Sequence, residues 1–101
     1  MAVGPSAPSS AVELSTYMRG NLSTLLGMEL SPASAQNIAN AIVQHVAQVR
    51  PGGPGVILSR DLYETFVSVQ LEGGAKISCC VSFDVKPDGR RVIRRIRRSG
   101  R

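Results

Sequence analysis

Tryptophan is absent from this 101-residue chain, and two Tyr with two Phe bring the aromatic share to only 4 %. The core must therefore be assembled from Val, Ile, Leu and Ala, which fill less volume each than a ring. Histidine occurs once, as His45, and cysteine twice, as the neighbours Cys79 and Cys80. Three such side chains are too few for a usual zinc site, so no metal is expected. Adjacent Cα atoms lie about 3.8 Å apart, closer than a relaxed disulfide prefers. The pair therefore fits a reducing compartment, and the cytoplasm is the expected location. No stretch reaches the roughly 18–20 apolar residues that span a bilayer, so no membrane partner is expected. The residues before Arg19 also lack the basic and apolar regions of an export signal.

What the chain does contain is ordinary apolar content, 43 %, and an unevenly distributed charge. Ten of its twelve basic residues are arginine. Residues 86–101 carry eight basic side chains against the single acid Asp88, a net of +7, whereas residues 1–85 carry four basic against six acidic, a net of −2. A nearly neutral body with a cationic end reads as an interaction arm. The length suits one domain. We expect a disordered N-terminal segment over 1–9, a single α+β domain over 10–97 with a basic last strand, and a basic tail over 98–101.

Two helices are predicted first. Ser10 and Glu13 stand at capping-box spacing, and Leu14, Met18, Leu22, Leu25 and Leu26 then recur on one helical face. Gly27 closes that helix, while Gly20 inside it weakens it by about 1 kcal/mol relative to Ala. In the second helix Ser31 is the N-cap and Pro32 takes the first position, where its missing amide costs nothing. Ala35, Ile38, Ala39, Ile42, Val43, Val46 and Val49 form its apolar stripe. Arg50 suits the negative end of its dipole, before the stop at Pro51-Gly52-Gly53-Pro54-Gly55. Ala35, Ala39, Ile42, Val46 and Val49 also make a narrow seam. That seam serves either the chain's own core or a homodimer through the second helix.

The remainder reads as sheet. Val56-Ile57-Leu58 is a short strand, and alternation from Tyr63 to Leu71 marks a second. Gly73-Gly74 signals a hairpin. Ile77, Cys79, Val81, Phe83 and Val85 then alternate with Lys76, Ser78, Cys80, Ser82 and Asp84, and Lys86-Pro87-Asp88-Gly89 supplies turn chemistry. Over 90–97, Val92, Ile93 and Ile96 fit helical spacing, but β-branched residues after a turn favour a strand. The strand is preferred and the helix stays open. The expected fold is α+β, with two N-terminal helices packed on one face of a three- or four-stranded antiparallel meander.

The chemistry that stands out is cationic. Arg90, Arg91, Arg94, Arg95, Arg97 and Arg98 are the candidate polyanion-binding residues, because clustered guanidiniums release counterions from phosphate backbones and fork onto their oxygens. A solvated, solubilising edge is the structural alternative. Tyr63 and Phe83 fall on predicted buried faces, so only Phe66 and Tyr17 are available to stack on bases. His45 lies at the border of the helical stripe and has no partner in the sequence pattern that would make it a general base. A dyad with Cys80 requires both side chains on one face of the sheet, and helix two covers the other. Residues 52–55 lack the Lys-Ser/Thr of a phosphate loop and follow a helix instead of preceding one. No cofactor is expected. Asp61, Glu64, Glu72 and Asp84 make no acid/base pair. The sequence thus points to a small non-enzymatic binding module that contacts nucleic acid or another polyanion through its arginine-rich end. The alternative is a protein-interaction module, an accessory, inhibitory or structural part of a larger assembly of the kind viruses and mobile elements encode, whose arginines meet an acidic protein surface.

Overall fold

A computed structural model describes residues 11–99. The expected N-terminal segment, the Ser10 cap and the last tail residues lie outside that range. In chain order the elements are β1 (Val12–Glu13), α1 (Thr16–Gly20), α2 (Leu22–Leu26), α3 (Pro32–Gln48), β2 (Ile57–Ser59), β3 (Leu62–Gln70), a 3₁₀ turn (Glu72–Gly74), β4 (Lys76–Val85) and β5 (Arg91–Arg98). The fold is α+β, with the helices over one face of a five-stranded mixed sheet of order β1-β5-β4-β3-β2. Among the described residues no helix is long and apolar enough to cross a membrane.

The second predicted helix is α3. Ser31 Oγ accepts from the Ser34 amide at 3.1 Å and Pro32 opens the first turn. Ile38, Ala39, Ile42 and Val46 are buried against Val67, Val69, Ile77, Val81 and Phe83 of the sheet, with Tyr63 and Phe83 stacked at 5.7 Å. Each aliphatic side chain so buried stabilises the fold by about 1.5–3 kcal/mol. Of the seam along α3, Ala39, Ile42 and Val46 are buried in the chain's own core, and Ala35 and Val49 are half-buried against it.

Two expectations are corrected. The first helix does not run from residue 11 to 26. Residues 12 and 13 pair with β5 as a parallel strand, Val12 with Arg91 and Glu13 with Val92. The capping-box acid Glu13 instead meets Arg90. The helix starts at Ser15, whose Oγ accepts from the Met18 amide, and breaks at Asn21, directly after Gly20, into α1 and α2. Leu22 and Leu26 still reach the core, and Gly27 still closes α2 in the left-handed conformation, φ 68°. A weak helix yields its first turn because edge pairing satisfies the same backbone groups. The sheet is consequently mixed. Its β2–β5 portion is the antiparallel meander, with three helices in place of two, and β1 adds a parallel fifth strand at the edge.

Residues 91–98 form a strand with one irregularity. Phe83 pairs with Ile93 and Ser82 with Arg95, so Arg94 is an inserted residue, a β-bulge. An uninterrupted strand shows positions three apart to opposite faces. The bulge brings Ile93 and Ile96 onto the same, helix-covered face, where both are buried. This explains why the segment carries helix-like spacing yet is a strand. Deleting Arg94 leaves Ile93, Arg95 and Ile96 in strict alternation, so its expected cost is within about 1–2 kcal/mol. Deleting Val92 throws Arg91 or Ile93 onto the wrong face and is expected to cost more than about 3 kcal/mol. Thermal unfolding followed by circular dichroism separates the two, and equal losses would contradict this register.

Candidate functional site

With the helices on one side, the other face of β2–β5 is open. Its side chains form transverse rows set by the pairing: Ile57, Glu64, Ser82 and Arg95; then Phe66, Cys80 and Arg97; then Ser68 and Ser78; then Gln70 and Lys76. Arg94, the bulge residue, also reaches this side, donating from Nε to Asp84 Oδ2 at 2.8 Å. Without the bulge, Arg94 and Arg95 would point to opposite faces.

The structure separates the six sequence-predicted arginines into different environments. Arg90, in the turn before β5, pairs with Glu13 at 3.0 Å on the β1 edge. Arg91 points to the helix side, where its guanidinium donates to the Val46 and Val49 carbonyls at the C-terminus of α3. Its Nε is buried without a partner. Arg94 and Arg95 are 46 % and 58 % exposed at their side chains and pair with Asp84 and Glu64 at 2.8 and 3.7 Å. Lys86 approaches the same Asp84 at 4.0 Å. The Arg97 guanidinium lies 3.9 Å from Cys80 Sγ, and Arg98 is exposed on the helix side, in register with Cys79. Arg94, Arg95 and Arg97 therefore share the open face, while Arg90, Arg91 and Arg98 do not. The Arg94 and Arg95 side chains are about half exposed while Asp84 and Glu64 are 23 % and 15 % exposed, so each guanidinium keeps donors facing solvent beside its carboxylate.

One cation missed by the sequence reading joins them. Arg60 sits in the two-residue connection between β2 and β3 with φ 61°, a left-handed conformation uncommon for a side chain of its size. Ser59, Arg60, Leu62, Glu64, Arg94 and Arg95 line a groove of about 550 Å³. The connection holds neither Gly nor Asn, the usual signal of a tight hairpin, which is why the sequence did not mark it. Within the groove three guanidiniums face one carboxylate. Glu64, mostly buried, is held by Ser82 Oγ at 3.4 Å and by Arg95.

The remaining reactive groups are kept apart. His45 on α3 is 3.1 Å from Thr65 Oγ1 on the helix-covered face, and burial pushes its pKa below the ordinary value. Cys80 belongs to the opposite face, so the sheet itself stands between them. Cys80 is nevertheless only 3 % exposed, because it lies on a central strand with Phe66 and Arg97 beside it. Burial pushes the Cys79 thiol up, with Arg98 acting in the opposite sense and Cys80 adding to the rise. Both cysteines are free.

Comparison with protein-family models, with curated proteins and with solved structures finds no match.

Two outcomes follow from this geometry. Arg91→Met removes two charge-assisted bonds at the end of α3 and is expected to cost about 2–3 kcal/mol, read as a lower denaturant midpoint at unchanged slope. His45, with its folded pKa depressed, binds a proton more readily when unfolded. Its contribution to stability is full above the ordinary value, near 6.5, and is lost as pH falls through the folded pKa. The melting temperature should therefore drop between pH 7 and 5.5, and His45→Gln should flatten that drop. A profile unchanged by the substitution would remove the assignment.

Proposed function

We propose that this protein is a non-enzymatic binding module that contacts nucleic acid or another polyanion through arginines of its last strand. The single observation carrying the reading is the bulge at Arg94, which gathers Arg94, Arg95 and Arg97 on the uncovered face of the sheet beside Arg60. Together with Lys76 these are five cations on a face whose acids are Glu64 and Asp84. Arg90 lies at the β1 edge and Arg98 on the helix side, outside this face. Planar guanidiniums suit phosphate oxygens, and each phosphate engaged releases condensed counterions. Arg91 plays no part in the contact; it holds the strand to α3. Adjacent unbridged cysteines support the cytoplasm as the location.

A second reading is favoured by a different observation. Ile57 and Leu58, on the three-residue edge strand β2, are 52 % and 61 % exposed and lie close to Glu64 and Tyr63 in register. An apolar sheet edge suits a protein partner. Capture from a lysate with and without nuclease separates the two: a partner lost on nuclease treatment supports nucleic acid, and one retained supports protein.

If four to five phosphates are engaged, log affinity for an oligonucleotide should fall with log salt at a slope of about −3 to −4.5. Arg94→Gln with Arg95→Gln should flatten that slope by about 1.4–1.8, and Arg91→Met should leave it unchanged. A flat salt dependence, or no binding at low salt, would overturn the proposal.

A further inference from the structure

Phe66 is an unusual residue for its place. It stands 49 % exposed on β3, beyond Leu62–Glu64, the residues of that strand paired with β2, so its side chain lies at the outer end of the Phe66, Cys80 and Arg97 row. The chain has only four aromatic residues, and the fold places Phe83 and most of Tyr63 in the core. Phe66 covers part of Cys80, but its ring is not part of the core under the helices.

Its neighbours have a consistent chemistry. Phe66 pairs with Cys80, and Cys80 with Arg97, so ring and guanidinium share one transverse row two strands apart, about 10 Å from backbone to backbone. On one side lies the Glu64, Ser82 and Arg95 row, continuing into the groove lined by Arg60 and Arg94. On the other, the Ser68 and Ser78 hydroxyls stand 3.3 Å apart, followed by Gln70 and Lys76. The half-exposed ring thus lies between the Glu64 carboxylate, which pairs with Arg95, and the Ser68 hydroxyl, with Arg97 at the far end of its row and Lys76 beyond the serines.

We propose that the open face is a single-stranded nucleic-acid platform, with one base stacked on Phe66, its neighbouring phosphates on Arg95 and Arg97, and the strand continuing toward Arg60 and Arg94. This rests on the polyanion reading above and names its partner. The charge of the face complements a phosphate backbone, and the ring offers the one contact a backbone alone does not use. A duplex keeps its base faces stacked inside, so it has nothing to place on a ring standing out of a sheet; a single strand does. The hydroxyls and the Gln70 amide meet the edge of a base without selecting one.

The absence of tryptophan makes the test direct, because Phe66→Trp introduces the protein's only indole. The full-length protein is titrated with twelve-residue oligo(dT), oligo(U), a DNA duplex, heparin, polyglutamate and an abasic strand of equal length. The expected result is that oligo(dT) or oligo(U) dims the emission of F66W, whereas the abasic strand, duplex and heparin do not. Phe66→Ala should weaken binding to the single strand about five- to hundredfold while leaving the salt slope and heparin affinity unchanged. Single-strand binding that is salt-dependent but indifferent to F66A, with no change in F66W emission, overturns this inference and leaves the polyanion reading standing. Failure of every polyanion to bind at low salt overturns both. Polyglutamate binding as tightly as the oligonucleotides, again with silent F66W emission, replaces the nucleic acid with an acidic protein.

Discussion

Ile93 and Ile96 must both reach the core from a strand that, left regular, would hide one and expose the other. The extra residue at Arg94 resolves that conflict, and the rest of the molecule's surface chemistry follows from it. The apolar pair is buried under the helices while two consecutive arginines emerge together on the far side. A hydrophobic requirement of a few kcal/mol, the burial of two isoleucines, thereby fixes the position of the cations.

The arginine cluster is not a uniform patch. Arg91 is taken inward to the carbonyl end of α3, where the helix dipole and free carbonyls favour a cation. Arg90, Arg94 and Arg95 each find a carboxylate, in Glu13, Asp84 and Glu64 respectively. Three of the body's acids thus lie against its cationic end. They space and orient the guanidiniums, whose side chains stay about half exposed although Asp84 and Glu64 themselves are mostly covered. A surface arranged this way is partly self-neutralising. Arg91 is the exception, since its desolvated position makes it a part of the fold.

The sheet also divides the chemistry of the molecule. His45 and Thr65 lie beneath α3, and Cys80, Phe66 and the exposed arginines lie on the opposite side. Among the described residues the sheet keeps His45 apart from Cys80. What is brought together on the open face is a ring, hydroxyls and cations.

Much of this was readable from residue order. Ser31 and Pro32 start α3 where they must, the Ile38, Ile42 and Val46 stripe faces the core, Gly73-Gly74 turns the β3–β4 hairpin, and the alternation of β4 gives its two faces. These are local signals, each fixed by the conformations a few neighbouring residues can adopt. Phe66 was likewise legible as exposed, from its position in an alternating strand. The pairing of residues 12 and 13 with β5, the break at Asn21, the reach of Arg91 to the end of α3 and the recruitment of Arg60 were not. Arg50 had the local claim to the end of that helix, and a residue 45 positions beyond Val46 took it. The sequence by itself determined which stretches are apolar, where helices and hairpins begin, and how much positive charge the last strand carries. Only the tertiary structure decided where that charge points, because alternation along a strand is reset by a single inserted residue whose place is settled by pairing with β4. Contacts across the sheet, not neighbours along the chain, choose between a guanidinium that caps a helix and one that faces water.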